Sequence, residues 1–256
     1  MVGFVRVVQR NAIVYRQVWR GSLFSSFLQP TLFLLAMGIG VGQLVNRGGA
    51  VLPGGVSFLQ FLAPGLLASS CMQTASFESS FPITAKMTWQ RNYEAMTATP
   101  LGVIDLVLGE LAWLAVRITT VAVAFAIVVA AFGVLRSPRG LLAIPAAVLT
   151  GVACGAPLMA YAATLKNGSR FNVVFRFVIT PLFLFSGVFF PLTRLPRFLQ
   201  TVAWFTPLFH GVELTRGLVL GTLDPVLWPL HVLYLVVLTA VGAGAALWTF
   251  RRKLEA

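Results

Sequence analysis

Charge is scarce in this sequence. Asp, Glu, Lys and Arg make up 10% of its 256 residues, where an ordinary soluble domain carries about a quarter. Seven of these residues are acidic, and the chain has two histidines and two cysteines. Each shortage excludes a chemistry. Cys71 and Cys154 sit inside apolar runs without a CxxC or metal-ligand neighbour and read as packing residues. No glycine frame precedes Lys86, Lys166 or Lys253, so there is no phosphate-binding loop and the chain cannot hydrolyse ATP alone. His210 and Glu213, one helical turn apart, are the nearest thing to a metal-ligand pair, and a di-metal bundle needs more carboxylates. No metal and no catalytic residue is expected.

What the sequence has is apolar length. Hydrophobic residues reach 58% and the mean hydropathy is +0.87. A membrane helix takes about 20 apolar residues, so six crossings use roughly 120 to 140 residues and leave no room for a separate ATPase domain. The spans are expected at about 22–45, 57–80, 103–132, 141–165, 171–190 and 226–250, with turn chemistry at the joints: Asn46-Arg47-Gly48-Gly49, Pro53-Gly54-Gly55, Thr99-Pro100, Ser137-Pro138, Lys166-Asn167-Gly168 and Asp224-Pro225. No soluble domain, low-complexity tract or clear repeat interrupts them.

Residues 1–21 are not a targeting sequence, because Arg6, Arg10, Arg16 and Arg20 run along the whole stretch. On a helix, Arg6, Gln9, Arg10, Arg16, Gln17 and Arg20 fall within an arc of roughly 120°. Phe4, Val7, Val8, Tyr15, Val18 and Trp19 take the other side, which predicts an amphipathic helix lying on the membrane surface. Asn11 on the apolar side and Ile13 on the polar side break the pattern. Residues 191–222 are apolar but cut by Pro191, Pro196 and Pro207 into pieces of about 197–206 and 208–220, each too short to span. They are expected to form a re-entrant helical hairpin between spans five and six. The fold class is therefore all-α and integral to the membrane: an interfacial helix, six spans and a re-entrant hairpin forming one transmembrane domain.

The net charge of +12 is spread between apolar runs and sets membrane topology rather than binding nucleic acid. With the N-terminus inside, the cytoplasmic side holds Arg6, Arg10, Arg16, Arg20, Lys86, Arg91, Lys166, Arg170, Arg176, Arg251, Arg252 and Lys253. The other side holds only Arg47, Arg136, Arg139, Arg194, Arg197 and Arg216. That bias places both termini in the cytoplasm.

Four groups of residues are candidates for function. Arg117, near the middle of the third span, is costly in a membrane. It either serves a pathway, with Glu110 on the same helical face, or pairs with a carboxylate on another helix to fix packing. The second span carries Ser69, Ser70, Gln73, Thr74, Ser76, Ser79 and Ser80. Ser69, Gln73, Ser76 and Ser80 share one face, which lines a passage for an amphiphilic solute or packs helices through small polar groups. The connection Pro82 to Gly102 contains Arg91, Asn92, Tyr93, Glu94 and Met96, a short helix suited to docking a partner protein or simply a solvated connector. In the hairpin, His210, Glu213 and Arg216 share a polar face, with Glu213 and Arg216 paired at i, i+3. Gly151 and Gly155 in span four read as a close-packing pair.

The C-terminal third carries Phe185-Ser186-Gly187-Val188-Phe189-Phe190-Pro191, then Leu195-Pro196, then Pro207-Leu208-Phe209-His210-Gly211-Val212-Glu213-Leu214-Thr215-Arg216. This resembles the signature of ABC-2 type transporter permeases, in the branch with nodulation lipo-oligosaccharide and daunorubicin-type drug exporters. The absence of a large external domain sets it apart from the larger lipoprotein and sterol branches, and Arg117 matches no motif of the family. The resemblance implies a permease subunit of the bacterial inner (plasma) membrane. It would export a drug, lipid or glycolipid, paired with a second permease chain, itself or a paralogue, and with two copies of a separate ATP-binding subunit. ATP and Mg would be bound on that partner, and this chain would bind no cofactor. Residues Arg91 to Met96 would form the coupling helix, with Arg10 and Arg16 of the interfacial helix beside it. Spans one, two and five would line the pathway, and His210, Glu213 and Arg216 would gate its outer end. A membrane scaffold or assembly factor without transport is the alternative that the sequence leaves open.

Overall fold

The computed structural model of the protein describes residues 3–47, 55–135 and 138–255. Met1 and Val2 of the interfacial stretch, the joint residues Gly48, Gly49, Pro53, Gly54 and Ser137, and Arg136 of the charge comparison lie outside the described residues. Among the described residues every regular element is helical. The chain runs through α1 (Gly3–Tyr15), α2 (Trp19–Phe33), a π-helical stretch Leu34–Val41, α3 (Gly42–Arg47), α4 (Phe58–Glu78), α5 (Phe81–Thr88), α6 (Asn92–Thr97) and α7 (Val103–Ala131). It continues through α8 (Ala143–Thr164), α9 (Phe171–Val174), a second π-helical stretch Phe175–Ile179, α10 (Thr180–Phe185), α11 (Arg197–Trp204), α12 (Pro207–Leu220) and α13 (Trp228–Leu254).

Among the described residues five helices are long and apolar enough to cross a membrane: Trp19–Leu44, Val103–Ala131, Pro138–Thr164, Gly168–Phe185 and Trp228–Leu254. They correspond to the first, third, fourth, fifth and sixth expected spans. The second, α4, is not among the five. At 21 residues it is about 31 Å long, but Gln60, Gln73 and its serines and threonines dilute its apolar character. The fifth span stops at Phe185 rather than continuing to Phe190.

Helix α4 is the centre of the bundle, packed against α7, α8 and α12, and α8 in turn packs along α13. It starts at a capping box, where Ser57 Oγ accepts from the Gln60 amide at 3.3 Å and Gln60 Oε1 accepts from the Ser57 amide at 3.1 Å. Pro30, Pro64 and Pro157 lie inside α2, α4 and α8, which neighbouring helices make tolerable in a membrane bundle. The expected hairpin pieces are α11 and α12. Pro207 at the first turn, Thr206 as N-cap and Gly221 in the left-handed conformation at φ 74° bound α12. Most of its length is buried inside the protein.

Helix α1 is seated on α7 by Val7, which is 1% exposed. Its buried strip also includes Asn11, the residue that broke the amphipathic pattern, while Arg6, Gln9 and Arg16 stay exposed alongside Val5, Ile13 and Val14. The glycines of α8 mark close helix approach, as their spacing predicts. A Cβ on Gly151 would sit 3.0 Å from the Cys71 carbonyl and 2.9 Å from Ile118 Cδ1, and one on Gly155 would sit 2.8 Å from Ser79 Oγ. Gly151→Ala is therefore expected to destabilise the bundle by about 1–3 kcal/mol through overpacking. Gly244→Ala, where a Cβ meets nothing within 4 Å, is the control; thermal unfolding in detergent should show a lowered Tm only for the first.

Candidate functional site

A cavity of about 330 Å³ opens between α2, α4 and α7, lined by Ser22, Ser26 and Pro30, by Ser70, Gln73, Thr74, Phe77 and Glu78, and by Arg117 and Val121. Within so apolar a bundle its wall is unusually polar. Arg117 sits at one end with its donors directed at four groups: Nε to Glu78 Oε1 at 3.0 Å, Nη1 to the Tyr15 hydroxyl at 2.9 Å and Thr120 Oγ1 at 3.3 Å, and Nη2 to Ser22 Oγ at 3.0 Å. Its guanidinium also lies 4.3 Å from the Tyr15 ring centroid. Arg117 thus pairs with a carboxylate on another helix, the packing role among the two open to it, and does so on the wall of a cavity.

Glu110 does not share that network. Both its carboxylate oxygens accept from Lys86 Nζ, at 2.8 and 2.9 Å, and Lys86 also donates to Asn11 Oδ1 at 3.2 Å. The serine stripe of α4 divides as well. Ser69 and Ser76 are fully buried and donate to their own helix, to the Leu66 carbonyl at 3.1 Å and the Met72 carbonyl at 2.8 Å. Of the three expected pathway residues on α4, only Gln73 reaches the cavity. Ser70, Thr74, Phe77 and Glu78 complete the wall on a face rotated by roughly 100° from Ser69.

The α5–α6 corner is built around Arg91, the one non-glycine residue with positive φ among the described residues, at 48°. Trp89, Gln90, Arg91 and Glu94 are exposed there. Asn92 is half-buried, donating to Gln90 Oε1 at 2.7 Å, and Met96 packs partly into the core. Tyr93, expected on the docking face, instead points inward. It is 0% exposed and its ring lies 5.5 Å from that of Phe250 on α13. The apolar body of tyrosine favours the interior here, and exposed Trp89 takes the aromatic position on the surface. Arg16 is exposed, whereas Arg10 is half-buried with Nη1 donating to Asn11 Oδ1 at 3.1 Å.

At the opposite end of the bundle the motif residues of the C-terminal third meet one another. Ser186 Oγ lies 3.1 Å from Thr206 Oγ1. Arg216 donates from Nη2 to the Gly187 carbonyl at 2.7 Å, from Nε to the Phe61 carbonyl at 3.3 Å and from Nη1 to Glu213 Oε1 at 3.1 Å, and its guanidinium lies 3.8 Å from the centroid of the Phe61 ring. Glu213 and Arg216 are therefore paired as their spacing predicts. His210 turns elsewhere. Its Nε2 lies 2.8 Å from the Trp204 carbonyl, which can only accept, so that nitrogen carries the proton. A neutral His210 then accepts at Nδ1 from His231 Nδ1–H, 2.7 Å away on α13, and its ring stacks on Tyr234 at 4.0 Å. Burial pushes the His210 imidazole toward its neutral form, partly opposed by the Trp204 carbonyl, with His231 adding to the push. The contact to His231 carried no signal in the sequence, because the two residues belong to different helices.

Among the described residues the chain is helical and carries five candidate spans, the make-up of an integral membrane protein. It matches the ABC-2 type transporter family over residues 3–220 and belongs to that family. It is 36% identical to Nodulation protein J of Rhizobium leguminosarum bv. trifolii over 220 residues, 86% of this chain and 82% of that one. Identity to Nodulation protein J of Bradyrhizobium diazoefficiens is 32%, covering 97% of this chain and 92% of the relative. The inner membrane transport permease YadH of Escherichia coli is 25% identical, over 82% and 80% of the two chains. The chain is thus an integral membrane subunit of an ABC transporter, whose family implies an ATP-binding partner.

Removing one member of a buried ion pair strands the other. Glu78→Ala is expected to cost about 3 kcal/mol, and Glu78→Leu with Arg117→Leu to recover most of that loss, which thermal unfolding of the single and double variants in detergent will measure.

Proposed function

We propose that this chain is the membrane-spanning half of an ATP-driven exporter, taking an amphiphilic drug, lipid or glycolipid from the cytoplasm or inner leaflet to the outside. Two permease chains, identical or paralogous, pair around a central pathway in a bacterial inner membrane, and each docks one ATP-binding subunit. The observation that carries this reading is the α5–α6 corner. In a member of an ABC family without a nucleotide loop of its own, Trp89, Arg91 and Glu94 stand exposed around a left-handed Arg91, and strained non-glycine backbone concentrates at functional sites. Both termini lie on the cytoplasmic side with this corner, α4 supplies the sixth crossing, and α11–α12 re-enter from the outside.

The mechanism follows from the partner's movement. ATP closes the two nucleotide-binding subunits, α6 carries that displacement to the spans, and the pathway changes from inward-facing to outward-facing. Transport requires the solute to bind the first state more tightly than the second. Gln73 and Arg117 present polar groups at the cavity, suited to the head of an amphiphile whose tail stays among apolar helices. The π-helical stretches fall in spans one and five, Leu34–Val41 and Phe175–Ile179, and π segments frequently mark functional sites. The fifth span also leaves Val173 and Phe177, at 59% and 70% exposure, free to face a second chain. At the outer end, the knot of Glu213, Arg216, Phe61 and Gly187 closes the pathway, and release of solute requires α12 to shift against α4.

Glu94→Arg reverses the charge of the docking face without touching the core. It is expected to reduce stimulation of the partner's ATPase at least tenfold while the permease elutes and unfolds as the wild type does. Unchanged stimulation would remove the docking role from this corner.

A further inference from the structure

The docking corner is tied to the bundle by an ion pair that joins three helices. Lys86, in the last turn of α5, holds both oxygens of Glu110 on α7 and Oδ1 of Asn11 on α1, and its ammonium lies 6.0 Å from the centroid of the Tyr93 ring on α6. The Glu110 side chain is 2% exposed and that of Lys86 is 15% exposed. Glu110 stands two turns into α7, about 10 Å along its axis. By chain, α6 reaches α7 only through Ala98, Thr99, Pro100, Leu101 and Gly102, a non-helical connection able to absorb displacement.

We propose that Lys86 is the positioning residue of coupling: its three-helix junction with Glu110 and Asn11 delivers displacement of the docking corner directly to α7 and α1, bypassing the compliant connection after α6. Three features support this. The contact of a compact ammonium with both oxygens of a buried carboxylate is charge-assisted and short, so it is stronger than a neutral hydrogen bond. The pair is enclosed, so solvent screens it far less than a surface pair. The junction also lies between the exposed residues of α5–α6 and the two helices, α1 and α7, that border Arg117. Movement entering at α6 therefore has a route through Lys86 to α1 and α7, and along those helices to Tyr15 and Arg117 at the cavity. The inference rests on the exporter reading, since it presupposes a partner that pushes on this corner.

The test uses the permease in lipid nanodiscs with an ABC-type ATP-binding subunit from the same organism. It compares binding of that subunit, the permease Tm and the ratio of ATPase turnover with and without permease. Replacing the whole pair, Lys86→Met with Glu110→Leu, leaves no stranded charge and is commonly tolerated in protein interiors. This variant is expected to keep its Tm and to bind the ATP-binding subunit, while stimulation falls at least tenfold. A role confined to folding would move the Tm and leave the stimulation of the folded fraction intact, and that result overturns the proposal. Should the neutral pair fail to fold, the exchanged pair Lys86→Glu with Glu110→Lys takes its place. Stimulation absent from each single charge variant and restored by the exchange supports the junction; stimulation equal in all three overturns it. A wild-type permease that binds no ATP-binding subunit removes the exporter reading itself, an outcome distinct from a complex that forms and couples without the pair.

Discussion

A charge buried in an apolar bundle has to be met by a partner, and the few charges that this protein buries determine which helices are held together. Among the described residues the buried charged side chains are Glu110 and Arg117. Each is answered from a distant part of the chain, Glu110 by Lys86 and Arg117 by Glu78. Arg216 forms the third such point, with Glu213 on its own helix and the carbonyls of Phe61 and Gly187 supplied by others. Apolar packing has little directional preference in a membrane, where lipid is as apolar as the helices, so polar contacts and close-packed small residues specify the arrangement. The three points tie α1, α5 and α7 at one end, α1, α2, α4 and α7 around the cavity, and α4, α12 and the turn after α10 at the other.

Much of the architecture is legible in the sequence because it follows from length and periodicity. Apolar runs of sufficient length mark five of the spans. Proline and glycine mark the joints, and the cuts at Pro196 and Pro207 separate α11 from α12 nearly where they occur. The spacing of Gly151 and Gly155 announces close packing, and that of Glu213 and Arg216 announces their pairing. The C-terminal motif announces the family. Its structural meaning becomes visible only in three dimensions, where Ser186 meets Thr206 and the Gly187 carbonyl meets Arg216, so the two halves of the motif are one contact surface.

The remainder was illegible for identifiable reasons. Helical periodicity tells which residues share a face but not which face meets which neighbour. Ser69, Gln73 and Ser76 share a face, yet the cavity lies on the flank where Ser70 and Thr74 stand. An aromatic residue beside charges reads as exposed, yet Tyr93 finds Phe250, which lies far away in sequence and near in space. The charged partners of Arg117 and Glu110 and the histidine partner of His210 lie on other helices, beyond any local pattern. Asn11 stands on the apolar side of the amphipathic pattern, and that exception was itself the available sign of a polar contact beneath α1.

The central claim, that this membrane subunit works by harnessing a separate ATPase, is tested most directly by co-purifying the wild-type chain with ABC-type ATP-binding subunits from the same organism. ATP hydrolysis by the complex in nanodiscs would then be followed as amphiphiles are added. The account predicts a stable complex with two ATP-binding subunits per pair of permease chains and a turnover that rises with an amphiphile. A permease that purifies without any ATP-binding subunit, or a complex whose turnover no amphiphile alters, would contradict it.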